Sequence, residues 1–447
     1  MNMNTPICDF VRAYNSRNTL RVHMPGHKGA AFLGMESLDL TEIEGADNLY
    51  APEGIIRESE RNASQLFGCP TFYSTEGSSQ CIRAMLYLAM LHAKRTGRKP
   101  LVAAGRNVHK TFLSAVALLD MEILWLYPQD MDSYLSCNVD AAQVRAMLET
   151  APEKPVAVYL TSPDYLGNVA DIAQIAAVCR EHDVLLLVDN AHGAYLRFLE
   201  PSQHPMDLGA TMCCDSAHKT LPVLTGGAYL HISSSLSATA AQVKAALALF
   251  GSTSPSYLIL QSLDAANPYL CEHTKRLRDF LPLVQTLKEK LQAQGFCLYG
   301  AESLKITLCT KPYGYTGDAF AALLREKNIV CEFFDPDYVV LMLTPEISVE
   351  DLQRLAAVLT AIPRRDPILQ TAPSFHRAQR VCSVREALLS VAKEVPVTES
   401  VGRVLADATV GCPPAVPILA CGELIDNHAV ACFRYYGITH CMVMTEK

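Results

Sequence analysis

Hydrophobic positions along this chain change period again and again. Residues 80–94 carry apolar side chains at helical spacing and follow a Gly77-Ser78-Ser79 turn, which predicts a helix. The same spacing predicts helices at 111–119 and at 171–182, where Asp171 stands near the start. Between them lie short apolar runs, 101–104, 121–127 and 156–160, each of strand length. Residues 184–188 are apolar throughout, as in the centre of a parallel sheet. Helix and strand alternating in this way predict a doubly wound α/β domain with a mostly parallel sheet.

Four segments are expected. Residues 1–57 read as an irregular arm, punctuated by Gly and Pro around His23-Met24-Pro25-Gly26-His27-Lys28-Gly29. Residues 58–271 form the large α/β domain. A long helix at 272–294 leads into a smaller α+β domain, 272–362, with strands at 305–309 and 338–343 and helices at 319–326 and 349–361. Residues 363–373 contain prolines and read as a linker. The C-terminal segment, 374–447, holds a helix at 383–392 and a cysteine-rich tail of strand character. No internal repeat or low-complexity tract is seen.

Composition narrows the function. Of the 447 residues, 50% are hydrophobic and 19% charged, as in an ordinary globular enzyme, and the net charge of -8 argues against a nucleic-acid partner. No apolar run approaches the ~18 residues of a membrane span, and the N-terminus has no signal-type apolar run, so a cytoplasmic protein is expected. The 16 cysteines include no CxxC spacing, and Cys213-Cys214 reads as buried packing. Cys412, Cys421, His428, Cys432, His440 and Cys441 match no zinc spacing, so no metal is expected.

Four constellations carry candidate chemistry. The first is Asp215-Ser216-Ala217-His218-Lys219-Thr220, flanked by two cysteines and a glycine-rich turn. A lysine in a partly buried setting can lose its proton and condense with an aldehyde cofactor, whereas an isolated loop lysine is simply solvated. The second is Asp189-Asn190-Ala191-His192-Gly193, at the carboxyl end of the apolar strand, where ligands of open α/β sheets bind. Asp189 reads equally as a partner for a protonated heteroaromatic ring or as a loop cap, and His192 as a ring contact or as packing. The third is Thr75-Glu76-Gly77-Ser78-Ser79, a strand-to-helix turn able to hold a phosphate and also common as a plain turn. The fourth is Arg106-Asn107-Val108-His109-Lys110, whose histidine could stack on a ring or merely enter a helix.

Order and spacing tie the four together, with Lys219 standing 30 residues after Asp189. As a set they resemble the ornithine/lysine/arginine decarboxylases of the aminotransferase-like fold. The matching stretches are PGHKG from Pro25, NLYAPEGIIR from Asn48, Gly77-Ser78-Ser79, RNVHK from Arg106, TSPDYLG from Thr161, Asp189 to Gly193, DSAHKTL from Asp215 and STSPSY from Ser252. They cover most of residues 20–260. The tail, with Pro413, Pro414 and Pro417, matches more loosely.

The resemblance implies a pyridoxal 5'-phosphate (PLP) enzyme with a transferase-like large domain. Lys219 becomes the Schiff-base lysine, Asp189 the ring-nitrogen partner and His109 the stacking residue. Gly77, Ser78, Ser79, Ser216 and His218 surround the phosphate, His192 contacts the cofactor, and Lys219 or His218 returns a proton to the substrate carbon. A homodimer with a shared site is implied, with Ser252 and Thr253 reaching the neighbour's phosphate. The substrate would be lysine, arginine or ornithine, its distal cation met by Glu53, Asp164 or Glu423, with Asp47 a further candidate. Departures are Asn190 where the family usually has Glu, Glu76 where it has Asn, and Ala415 where it has Gly. The receiver-like N-terminal domain of the long members is not expected. The alternative readings are an aminotransferase or other PLP enzyme on the same fold, and a non-catalytic PLP-binding homologue.

Overall fold

The computed structural model describes residues 3–129, 133–408, 411–412 and 416–445. Pro413, Pro414 and Ala415 of the tail motif lie outside the described residues. The chain divides into two compact units, Met1–Gly97 with Ile172–Arg278, and Arg98–Asp171 with Asp279–Lys447.

Seven strands belong to the α/β part of the chain: β1 (Thr71–Ser74), β2 (Leu101–Gly105), β3 (Glu122–Leu126), β4 (Ala157–Thr161), β5 (Leu185–Asp189), β6 (Met212–Asp215) and β7 (Ala228–Ile232), in the order β1-β7-β6-β5 in the first unit and β4-β2-β3 in the second. In the first unit β5 and β6 are parallel, with Asp189 opposite Cys214, and β7 returns antiparallel with Asp215 opposite Tyr229. In the second unit β2 runs parallel to both β3 and β4. The mostly parallel α/β sheet read from the alternation is present, and β1 and β7 form an antiparallel margin.

Predicted helices and strands fall within a few residues of the observed ones. The helix read at 80–94 spans Gly77–Thr96, and Gly97 closes it with φ +68°. The arm differs from its irregular reading. It contains a helix, Pro6–Ser16, started by a proline, and a second helix, Ile55–Phe67, begins within it. The first docks through its N-terminal amides: Ile7 and Cys8 N–H donate to Asp264 Oδ2 at 3.0 and 2.9 Å, and Ser59 Oγ donates to Asp264 Oδ1 at 2.6 Å. An anchor 257 residues away in sequence leaves no local signal.

The second unit carries a four-stranded antiparallel sheet of β8 (Cys297–Tyr299), β9 (Lys305–Cys309), β10 (Phe333–Phe334) and β11 (Tyr338–Met342), in the order β10-β11-β9-β8. The helix expected at 383–392 spans only Val384–Leu388; Ser383 and Glu386 close a capping box at its start. A strand, Ala392–Pro396, then pairs with His440–Met444. Val395 is buried opposite Cys441, Lys393 and Glu394 are exposed, and Pro396 has no amide hydrogen with which to continue a helix. The tail also holds a helix, Asn427–Tyr435, capped by Asp426, and Phe433, Val395, Val443 and Ile418 share its core. No helix among the described residues is long and apolar enough to cross a membrane.

Candidate active site

The site is built where β5 and β6 end. Both strands are buried apolar runs whose last residue is an aspartate. Asp189 is 2% exposed; Ala191 N–H donates to its Oδ1 at 3.2 Å and the Cys214 thiol approaches the same oxygen at 3.6 Å. The chain after β6 turns through Ser216 into the short helix Ala217–Thr220, which carries His218 and Lys219. Lys219 Nζ lies 3.0 Å from His192 Nε2, in the loop after β5. Two loops separated by 27 residues thus deliver an amine and an imidazole to one place, and both residues belong to predicted motifs. His218 Nδ1 sits 2.9 Å from the Gly227 carbonyl, which can only accept, so this nitrogen carries the proton.

The third motif reaches the same unit. Gly77 opens the helix Gly77–Thr96 with φ +70°, and no atom lies within 4 Å of the place a Cβ would occupy. Gly77 N–H itself donates to the Gly226 carbonyl at 2.8 Å, and the helix's positive dipole end beside that open space suits an anion. Ser216 Oγ donates to Ser78 Oγ at 2.8 Å, which joins the lysine loop to that helix end. Ser252 and Thr253 are exposed, and Ser252 N–H donates to Glu76 Oε1 at 3.2 Å. Gly251 precedes them at a close approach: Tyr50 Oη and Gln80 Nε2 occupy the space of its would-be Cβ, so a side chain there would displace one of them.

Sequence reasoning assigned no role to the buried network beneath this site. Asp215 is fully buried. Its Oδ2 meets His204 Nε2 and His231 Nε2, each at 3.1 Å, and its Oδ1 accepts from Asn190 Nδ2 at 2.7 Å. Burial alone would push this carboxyl up; His204 and His231 outweigh it and hold Asp215 well below the ordinary carboxylate range. Burial in turn pushes His231 down, against the pull of Asp215. Met206 N–H donates to His204 Nδ1 at 3.3 Å, so the proton of His204 is on Nε2, facing Asp215. Asn190, the departure from the family's usual Glu, is therefore the neighbour of a carboxylate that lies one strand over. Asp215 belongs to the DSAHKTL motif, but no local pattern marks His204, just before a turn, or His231, in β7.

Of the carboxylates proposed to meet a substrate cation, Glu53 is exposed, and its own backbone N–H donates to Asp47 Oδ1 at 2.9 Å. Asp47 also accepts from the amides of Asn48, Gly54 and Ile56 at 2.9 to 3.0 Å. Burial pushes Asp47 up, but these amides prevail and lower its pKa. Asp47 thus organises the loop that presents Glu53. Glu53 lines a cavity of about 600 Å³ with Tyr50, Arg57, Arg61 and the buried Glu60–Lys244 pair.

The remaining candidates lie in the second unit. Asp164 is buried and accepts from both Asn168 N–H, at 2.9 Å, and Asn168 Nδ2, at 2.8 Å; burial raises its pKa. Glu423 is buried and pairs with Arg106 at 3.0 Å, while its Oε2 accepts from Ala420 N–H at 2.8 Å. Each carboxylate holds its own surroundings together. His109 caps the helix Lys110–Leu119: Thr111 N–H donates to its Nδ1 at 3.2 Å, which places the ring proton on Nε2. The C-terminal Cys and His residues form no metal-sized group among the described residues, where His204, Asp215 and His231 are the one such cluster.

A lysine and an imidazole meet in the loops that follow two strand-end aspartates of a mostly parallel α/β fold, and the known relatives make the chain a carboxy-lyase of the PLP-dependent, aminotransferase-like class. The description "Orn/Lys/Arg decarboxylase, major domain" matches residues 5–311, and the chain belongs to that family. The YaaO protein of Bacillus subtilis is 31% identical, over 96% of this chain and 93% of its own length. An arginine decarboxylase of Halalkalibacterium halodurans is 30% identical, over 96% and 93%. The lysine decarboxylase LdcF of Francisella novicida shares the fold, with a TM-score of 0.79 at 16% identity, over 99% of this chain and 81% of that one. The reaction is the decarboxylation of a basic amino acid.

Proposed function

We propose that this chain decarboxylates arginine, with PLP carried on Lys219. The carrying observation is the 3.0 Å contact between Lys219 Nζ and His192 Nε2 beside buried Asp189. The residues present fit the cofactor: an open, glycine-started helix end beside Ser78 and Ser216 for the phosphate, a carboxylate for the ring nitrogen, and an amine for the aldehyde carbon. When bound, PLP supplies a sink for the electron pair left as the bond from Cα to the carboxylate breaks. Asp189 holds a proton at the ring nitrogen. His192 Nε2 accepts a proton from Lys219 Nζ and so frees the amine. His218 and Lys219 are the candidates to return a proton to Cα. Arginine is preferred to lysine and ornithine because a relative named arginine decarboxylase aligns over nearly the whole chain.

The working form in this reading is a homodimer. Leu20, Val22, Phe32 and Leu33 of the arm are each at least 79% exposed, an apolar surface that a second copy would cover, and the hydroxyls of Ser252 and Thr253 would reach the neighbour's phosphate. Borohydride reduction with PLP should fix the cofactor on Lys219, and a fixed cofactor on another lysine would refute the assignment. Mixing Lys219→Ala with Ser252→Ala/Thr253→Ala chains should restore activity that neither has alone; fully active monomers in sedimentation would refute the shared site.

A further inference from the structure

We propose that Cys297 and Cys309 form a reversible disulfide, a peroxide-oxidised site on the edge of the small sheet that is separate from the decarboxylase chemistry. The two stand directly opposite each other across the antiparallel pair β8–β9. Opposed residues on such a ladder have Cα atoms about 4.5 or about 5.5 Å apart, depending on the hydrogen-bonding pattern. Both spacings fall within the range that a disulfide spans without moving the backbone. Facing residues of a ladder point their side chains to the same side, which puts the two thiols side by side.

Access is as selective as geometry. Strand β8 is the outer strand of its sheet, and Cys297 is the one exposed cysteine among those described. Cys213 and Cys214, adjacent in sequence, are buried at 0% and are closed to an oxidant. Cys309 is half-buried beside Cys297; burial, then the neighbouring thiol and Asp337, push its pKa up, so it stays a thiol while Cys297 meets the oxidant. The Cys297 sulfur attacks hydrogen peroxide, breaking the O–O bond and releasing one water as the sulfenic acid forms. The Cys309 sulfur then displaces the hydroxyl, which leaves as a second water with the thiol proton. In sum two thiols and one peroxide give one disulfide and two waters, and a small thiol such as glutathione reverses the oxidation at its own expense. The bond would fasten the three-residue edge strand to β9, next to Tyr338, which faces Cys309 on the other side and packs on Tyr299 at 5.8 Å.

The test uses the full chain, reduced, desalted and exposed to hydrogen peroxide below its melting temperature. Remaining thiols are alkylated and the protein is digested with trypsin without reduction; Lys305 lies between the two cysteines, so cleavage puts them on separate peptides. A linked pair joining Cys297 to Cys309, two hydrogens lighter than the separate peptides and released by dithiothreitol, is the expected product. It should be absent from C297S, whose exposed site tolerates the change, and from C309S. Recovery of both cysteines alkylated, a link from Cys297 to a second chain, or a Cys297 sulfonic acid with Cys309 free would each overturn the proposal.

Discussion

A carboxylate recognises a substrate cation strongly only when it is not already spent on its own protein. Asp164 is spent on Asn168 and Glu423 on Arg106, while Asp47 takes five backbone amides. Glu53 is left as the exposed candidate, held in place by Asp47. Glu53→Gln should then raise the Michaelis constant for arginine about tenfold or more, worth roughly 1.4 kcal/mol, and spare PLP binding. Equal constants for the variant and the parent would remove Glu53 from the substrate site. The meeting of Lys219 and His192 after β5 and β6 joins two short motifs, each of which can be read in the sequence. The roles of Asp164 and Glu423 cannot be read there, because their partners are set by tertiary contacts; Arg106 and Glu423 are 317 residues apart.

At the scale of elements, the strand ends do the positioning. β5 and β6 run parallel in register, and the antiparallel return of β7 brings His231 against Asp215. The strands themselves were readable from their apolar runs. Their pairing was not, and with it went the network of Asp215, His204, His231 and Asn190. A fully buried carboxylate with two imidazoles is costly to break, because the loss of one charge leaves donors aimed at nothing. Asp215→Asn keeps the volume but removes the charge, and should lower stability by about 3 kcal/mol. Chemical denaturation checks this: an unchanged midpoint would mean that the network contributes no net stability. The helix Pro6–Ser16 escaped detection for a related reason, since Asp264 satisfies its first amides from a distant helix.

Across the whole molecule, buried groups set the response to acid. His273 is 1% exposed, neither ring nitrogen has a hydrogen-bond partner among the described residues, and Phe198 packs edge-on at 5.2 Å. Burial, with Arg276 adding to it, pushes its pKa down to about 4. Unfolded, the same imidazole titrates near ~6.5. As pH falls from about 6.5 to about 4, the unfolded chain binds a proton that the folded chain refuses, so stability is lost across that window, by on the order of 3 kcal/mol at its lower end. His273→Phe should flatten this part of the stability–pH curve while leaving stability at about pH 8, above both pKa values, nearly unchanged. An identical acid loss in the variant would assign it to other groups.

The most direct test of the central claim is the product of the purified, PLP-loaded protein with arginine. Release of CO2 in step with formation of the corresponding amine, faster than with lysine or ornithine and absent with uncharged norleucine, is the predicted result. Amino-group transfer without CO2, or equal turnover of norleucine and arginine, would contradict it.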